Sequence, residues 1–162
     1  MTIRGHYQNA YVTRDIAWAR RRMSEDWGLS GWADFEVEFP VRTPDGEFLQ
    51  ATKVASAWGG DLQIELIEPV SGYIQPFIDF LPEDPDDPSP RFHHFAQWRD
   101  TMAQVDAEVA ALGFPVACQG GIPDLIYTYL DTRATLGHFM ELVWATPAGW
   151  DMIGWPKGLK VF

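Results

Sequence analysis

The chain reads as an α+β protein built from two βαβββ halves. Three observations predict this class. The element order runs strand, helix, three strands and then restarts. A Pro- and Asp-rich break separates the two runs. The last strand of each run carries one central glutamate, Glu65 in LQIELIEP and Glu141 in HFMELVW.

Residues 6–13 alternate as a strand, and Asp15 then opens a helix whose apolar positions Ile16, Ala19, Met23 and Trp27 recur at helical spacing, with Gly28 as its stop. WADFEVEFPV, FLQATKVASAW and DLQIELIEP follow as strands, separated by the turn chemistry of TPDG and WGGD. Leu81–Pro90 holds four prolines and four acidic residues and reads as a linker without regular structure. The order then repeats. FHHFAQW is a strand, Asp100 or Thr101 caps a helix with Val105, Val109 and Leu112 on one face and Gly113 at its end, and FPVACQGG, LIYTYLDT and HFMELVW are strands. The expected organisation is one structural domain: a first module over residues 1–80, the linker 81–90, a second module over 91–145, and a C-terminal extension over 146–162. A period this long has the form of an internal duplication.

Bulk properties narrow the function. At 162 residues the chain suffices for one substantial core. A net charge of −11 disfavours nucleic acid or an anionic membrane as partner, since both need a cationic face. The run Arg20, Arg21, Arg22 fans around a helix as a solvated surface. Cys118 is the only cysteine, which excludes an intramolecular disulfide and fits small core filler. No membrane-length apolar run or signal-peptide pattern is present, so a cytoplasmic location is expected. Eight Trp and ten Phe suit either an apolar cavity or a subunit interface, here expected to be that of a homodimer. Tyr127 and Tyr129 on one strand, with Trp150, Trp155 and Phe162 in the tail, fit a bulky or aromatic small-molecule substrate, or equally rings that fill the core.

Glu141 is the most informative residue. Phe139 and Val143 share its strand face, and Met140, Leu142 and Trp144 fill the other. An ionised carboxylate in such a place must be neutralised, paired with a cation or bound to a metal. Gln8, Glu65 and His94 offer co-ligands on comparable strands. Gln8 lies seven residues before Asp15 and His94 six before Asp100, so each occupies the same place on the first strand of its half. Two like units packed about a pseudo-twofold axis would converge all four on one cavity. Each has a competitor. Gln63 shares the face of Glu65, which also fits a strand with a wet side. His93 and His94, as neighbours, are expected on opposite faces with one of them structural. His6, two residues from Gln8, is expected on the same face and rivals it.

From about Gln8 to Trp144 the chain resembles the glyoxalase, bleomycin-resistance and extradiol-dioxygenase group, the vicinal oxygen chelate superfamily. The likeness rests on IELIEP, on HHFAQW followed by an Asp-opened helix ending at Gly113, and on the final MELVW. IELIEP and HH are most similar to methylmalonyl-CoA epimerase-like members. The resemblance implies two βαβββ modules forming a curved mixed sheet around a central cavity and a divalent metal, with ligand places at Gln8, Glu65, His94 and Glu141. That set resembles eukaryotic-type glyoxalase I, whereas the epimerases resemble His, Gln, His, Glu, so motif wording and ligand set point to different relatives. The metal-associated glutamate that serves as base in these enzymes implies Glu141 first and Glu65 second. The epimerase's additional glutamate has no counterpart: Glu47 falls with the turn after Gly46, and Gln50, Thr52 and Lys53 occupy the strand.

One nitrogen and three oxygens form a relatively hard donor set that suits Zn, Mn, Co, Ni, Fe(II) or Mg. The expected activity is a metal-dependent isomerase, epimerase or lyase that moves an α-proton of a carbonyl substrate through a metal-stabilised enolate. An extradiol-type dioxygenase on an aromatic diol and a non-enzymatic, bleomycin-resistance-like binding protein are the alternatives. The first of these normally wants a second histidine ligand.

Overall fold

A computed structural model describes residues 4–159. Phe162, named above with the aromatic tail, lies outside the described residues. The first half comprises β1 (His6–Val12), α1 (Ile16–Trp27), β2 (Ala33–Thr43), β3 (Gly46–Gly59) and β4 (Leu62–Gly72). After the short α2 (Gln75–Ile78), the second half repeats the order with β5 (Arg91–Arg99), α3 (Met102–Leu112), β6 (Val116–Ile122), β7 (Leu125–Leu130) and β8 (Phe139–Ala145). Two further short helices, α4 (Arg133–Leu136) and α5 (Pro147–Met152), were not signalled by periodicity because neither is long enough to show one.

Helix ends follow the expected chemistry. Asp15 caps α1 by accepting from Trp18 N at 2.8 Å, and Thr101 caps α3 by accepting from Gln104 N at 3.2 Å. Thr101, rather than Asp100, is the cap. Gly28 and Gly113 close the two helices in the left-handed conformation.

The eight strands form one closed, barrel-like sheet in the order β1-β4-β3-β2-β6-β7-β8-β5. Read from β1 the order is 1-4-3-2, and read backwards from β5 it is 5-8-7-6, so the halves are related by a pseudo-twofold axis. β1 pairs with β4 in parallel and β5 with β8 in parallel; the halves meet where β1 runs antiparallel to β5 and where Arg42 of β2 faces Gln119 of β6.

Strand alternation divides the apolar residues into an inner and two outer layers. Tyr7, Val41, Phe77, Cys118, Tyr127 and Phe139 pack inside the sheet. α1 lays Ala19 and Met23 over Ala55, Ala57 and Leu66, and α3 lays Val105 over Leu130, Met140 and Leu142. Burying a leucine such as Leu66 or Leu142 contributes roughly 1.5–3 kcal/mol. Both faces of β8 are therefore covered, and this is why Glu141 is surrounded by apolar residues in sequence.

Candidate active site

Register places the four expected residues equivalently. Gln8 stands opposite Gln63, with Glu65 two residues further on; His94 stands opposite Phe139, with Glu141 two residues further on. Across the junction Gln8 faces Ala96 and Ala10 faces His94, while Ala10 also neighbours Glu65 and Ala96 neighbours Glu141. Both alanines are fully buried. Small side chains at these two corners leave the space into which the larger polar groups turn.

Three of the groups meet closely. His94 Nε2 lies 3.2 Å from Glu141 Oε2 and 3.8 Å from Glu65 Oε2. His94 is fully buried, the Glu141 side chain is 7 % exposed and that of Glu65 18 %. Gln8 Nε2 donates to Gln63 Oε1 at 2.7 Å, and Gln63 Nε2 donates in turn to the carbonyl of Ile153 at 3.0 Å. Two buried polar atoms of this site have no hydrogen-bond partner among the described residues: Gln8 Oε1 and His94 Nε2. Such orphans are costly in a folded protein and mark places that take a ligand.

Burial drives the electrostatics. It raises the Glu65 carboxyl to about 8, the charge of Glu141 adding to the rise and Gln8 opposing it, and it raises Glu141 to about 8 as well. Burial lowers His94 to about 3, with His138 nearby adding to the shift, and holds His93 well below the usual imidazole range. Both imidazoles are thus neutral and the carboxyl pair tends to hold protons.

Two expectations about facing are corrected. His6 is exposed and contacts Asn9 Oδ1 at 2.8 Å on the outer face, because an irregularity in the β1–β5 pairing between His6 and Gln8 turns both Tyr7 and Gln8 into the interior. A second irregularity skips His93, since Ala10 pairs with His94 and Tyr11 with Phe92. His93 is consequently as buried as His94, and their Nδ1 atoms stand 2.8 Å apart. The face shared by Gln63 and Glu65 is also not wet, for Gln63 is only 1 % exposed. Glu47, placed with the turn, belongs to β3 and is exposed opposite Arg42, whereas Gln50 and Thr52 reach the cavity.

The cavity in front of these groups measures about 190 Å³ and carries Gln8, Glu65 and Glu141 on its wall. Its remaining lining is largely apolar and aromatic, including Phe35, Phe39, Phe77, Tyr127 and Tyr129, and among the described residues no Lys or Arg contributes. Tyr127 donates its hydroxyl proton to Gln50 Oε1 at 2.9 Å. The tail closes one end: Met152 and Ile153 line the cavity, and Trp150 and Trp155 pack on Tyr7 at 5.7 and 5.2 Å between ring centroids. Tyr7, Gln50 and Gln63 went unassigned in sequence as site residues; only the pairing of Gln63 with the face of Glu65 pointed toward one of them.

The residues fit a cation chemically. An amide oxygen and an imidazole nitrogen without partners stand with two carboxyls that burial makes reluctant to ionise alone. Donors that share an ion at about 2.1 Å each stand roughly 3–3.4 Å from one another, a spacing that the His94–Glu141 pair matches. Glu65 stands further off, and among the described residues no three His, Cys, Asp or Glu side chains are already closed around one point.

Comparison with known proteins decides the family. Residues 7–126 match the sequence profile of the Glyoxalase/Bleomycin resistance protein/Dioxygenase superfamily. The chain belongs to that superfamily. Solved structures agree on the fold. A hypothetical protein from Bacillus halodurans C-125 aligns with a TM-score of 0.62 at 17% identity, covering 90% of this chain and 96% of that one. Methylmalonyl-CoA epimerase from Mycobacterium tuberculosis aligns with a TM-score of 0.55 at 15% identity, covering 89% of each chain. A methylmalonyl-CoA epimerase in complex with methylmalonyl-CoA and NH4+ gives 0.59 at 15% identity over 90% of this chain and 97% of that one. No curated protein sequence matches the chain. Among the described residues no helix is long and apolar enough to cross a membrane.

Proposed function

We propose that this member of the superfamily is a divalent-metal-dependent isomerase, epimerase or lyase that moves a proton at the carbon beside a substrate carbonyl. The observation that carries the reading is the convergence of the buried, unpartnered His94 Nε2 on the carboxyls of Glu141 and the more open Glu65, which line an apolar cavity together with Gln8. Gln8, Glu65, His94 and Glu141 are the residues that would hold the ion, drawn from Zn, Mn, Co, Ni, Fe or Mg. When bound, it supplies positive charge that polarises the carbonyl and stabilises the enolate.

The rest of the chemistry falls to the chain. Glu141 and then Glu65 are the groups proposed to take and return the α-proton. Both carboxyls reach the cavity wall, where a bound substrate's α-carbon would come within proton-transfer reach. The apolar wall excludes water from the enolate. At about 190 Å³ the cavity is smaller than the about 300–1,000 Å³ of drug-sized ligand sites. Its aromatic, cation-free lining favours a compact, neutral, apolar or aromatic carbonyl compound. A thioester stays in the test panel because one structural neighbour is an epimerase holding methylmalonyl-CoA.

The oxygenase alternative loses its candidate second histidine, as His6 faces outward and both nitrogens of His93 have other partners. The test is elemental analysis of purified protein followed by solvent-deuterium exchange over ketones, thiohemiacetals and thioesters. Near-stoichiometric metal with exchange at the α-carbon is the expected result. A metal-replete protein that exchanges with none of them would sink the proposal and turn the reading toward ligand sequestration.

A further inference from the structure

In each half a short hydrogen-bond chain ends at one of the two unpartnered atoms, Gln8 Oε1 or His94 Nε2, and it starts at a backbone carbonyl supplied by another part of the chain. In the second half, His93 Nε2 lies 3.2 Å from the carbonyl oxygen of Pro76 in α2. A carbonyl oxygen can only accept, so Nε2 carries a proton. The ring is fully buried among Phe77, Phe80, Tyr129 and Phe139, and among the described residues no carboxylate pairs with it, surroundings in which a charged imidazolium is too costly. His93 Nδ1 is therefore a lone pair. It faces His94 Nδ1 at 2.8 Å, a distance two lone pairs do not tolerate, so the proton between them belongs to His94. His94 Nε2 is left bare toward Glu65 and Glu141.

The first half repeats the logic with amides. The carbonyl of Ile153 accepts from Gln63 Nε2 at 3.0 Å, which fixes Gln63 Oε1 as the acceptor of Gln8 Nε2 at 2.7 Å. Gln8 Oε1 is thereby turned to the unpartnered position. Without these anchors either amide could flip and exchange the places of its oxygen and its N–H.

We propose that His93 and Gln63 are positioning residues, equivalent in role in the two halves, which lock His94 with a bare Nε2 toward Glu65 and Glu141 and fix Gln8 with its Oε1 left unpaired. The consequence for metal affinity rests on the functional reading above; the locking itself does not. Donors that are pre-aimed in the folded chain need no rotamer or tautomer change when a cation enters.

The test begins with the unmodified, chelator-treated protein labelled with 15N-histidine. Long-range proton–nitrogen spectra should show His94 protonated on Nδ1 with a bare Nε2, and His93 in the opposite tautomer. A His94 protonated on Nε2, or a mixture, would overturn the proposal. Co2+ titration then compares variants. His93→Leu should lose the single His94 tautomer and about 10–100-fold in Co2+ affinity, and Gln63→Met should lose affinity in the same direction. His93→Asn, which keeps an acceptor oxygen at the δ position, should retain the tautomer and bind close to the parent. A folded His93→Leu that keeps both properties would overturn the assignment. If the parent shows the tautomers but binds no Co2+, the metal reading fails while the positioning role stands.

Discussion

The two halves share a frame and differ in what they place on it. The hairpin of the first half is long, with β2 and β3 of 11 and 14 residues, and its alternation sets Phe35, Val37 and Phe39 toward the cavity and Asp34, Glu36 and Glu38 toward solvent. The equivalent β6 and β7 span 7 and 6 residues, and β7 is almost wholly buried. The polar groups follow the same division. The first half offers a neutral amide and the more open carboxyl, Glu65; the second offers an imidazole and the deeper carboxyl, Glu141. Symmetry of the backbone thus brings Gln8, Glu65, His94 and Glu141 to equivalent places, and asymmetry of the side chains gives the first half most of the polar lining of the cavity and the second half the more deeply buried acid and imidazole.

The sharpest way to break this comparison is to remove one donor from each half. Glu141→Gln should cut α-proton exchange by about 10²–10⁴-fold, as expected for loss of a general base. If the proposed metal binds, His94→Ala should abolish its retention, and Gln8→Ala should weaken retention less, since an amide oxygen is a weaker donor than an imidazole nitrogen. Elemental analysis and exchange rates on folded variants check the order. A Gln8→Ala loss as large as that of His94→Ala would show that the halves contribute alike.

The second effect is on pH. In metal-free protein the carboxyls of Glu65 and Glu141 are raised in the folded state to about 8, so above the unfolded carboxylate range the folded chain binds more protons than the unfolded chain. Their contribution is present at low pH and is lost as pH rises through the folded value. His94 and His93 are lowered instead, so the unfolded chain binds more protons below about 6.5 and their effect opposes that of the carboxyls there. Between about 6.5 and 8 the carboxyls act alone, and stability to urea should fall by on the order of a few kcal/mol. Saturating metal should remove the slope. A metal-free midpoint that rises over this window would contradict the raised Glu65 and Glu141 carboxyls.

Much of this arrangement was legible in the sequence, and the limits have physical causes. Caps at Asp15 and Gly28, the Gly113 stop and the restart of element order are local signals. Glu141 declared itself because a carboxylate inside a strand apolar on both faces has few explanations. The facing of His6 and His93 was not legible, because an irregularity in strand pairing depends on a partner strand over 80 residues away. The anchoring of Gln63 by Ile153 was hidden for the same reason, the two being 90 residues apart. Short helices such as α2, which supplies the Pro76 carbonyl, lack the length to display a period.

The junction between the halves gives a third, smaller effect. A Cβ at Gly120 of β6 would stand 2.6 Å from the Tyr127 hydroxyl and 2.7 Å from Val41 Cγ1, which belong to different halves. Gly120→Ala should destabilise the fold by about 1–3 kcal/mol and disturb the Tyr127 to Gln50 hydrogen bond. Denaturation with unchanged tyrosine fluorescence and unchanged midpoint would mean that this seam yields easily.

The smallest difference lies in the helix caps, far from the donors. Asp15 accepts from Trp18 N at 2.8 Å and places a negative charge at the start of α1, where the helix dipole favours it. Thr101 accepts at 3.2 Å and is neutral, and each helix start is held a second time: Glu68 Oε2 accepts from Ile16 N at 2.9 Å, and Gln104 Oε1 accepts from Asp100 N at 2.9 Å. Losing a side-chain cap costs about 0.5–2 kcal/mol. Asp15→Ala should fall in the upper part of that range and Thr101→Ala in the lower, because a second bond survives each change while only the first also removes a charge from the helix dipole. Urea midpoints of the two variants decide it, with Co2+ affinity expected to stay at the parent value in both. A larger loss for Thr101→Ala would mean that the second half depends on its helix more than the first, reversing the view that its stability resides in the covered β8 strand.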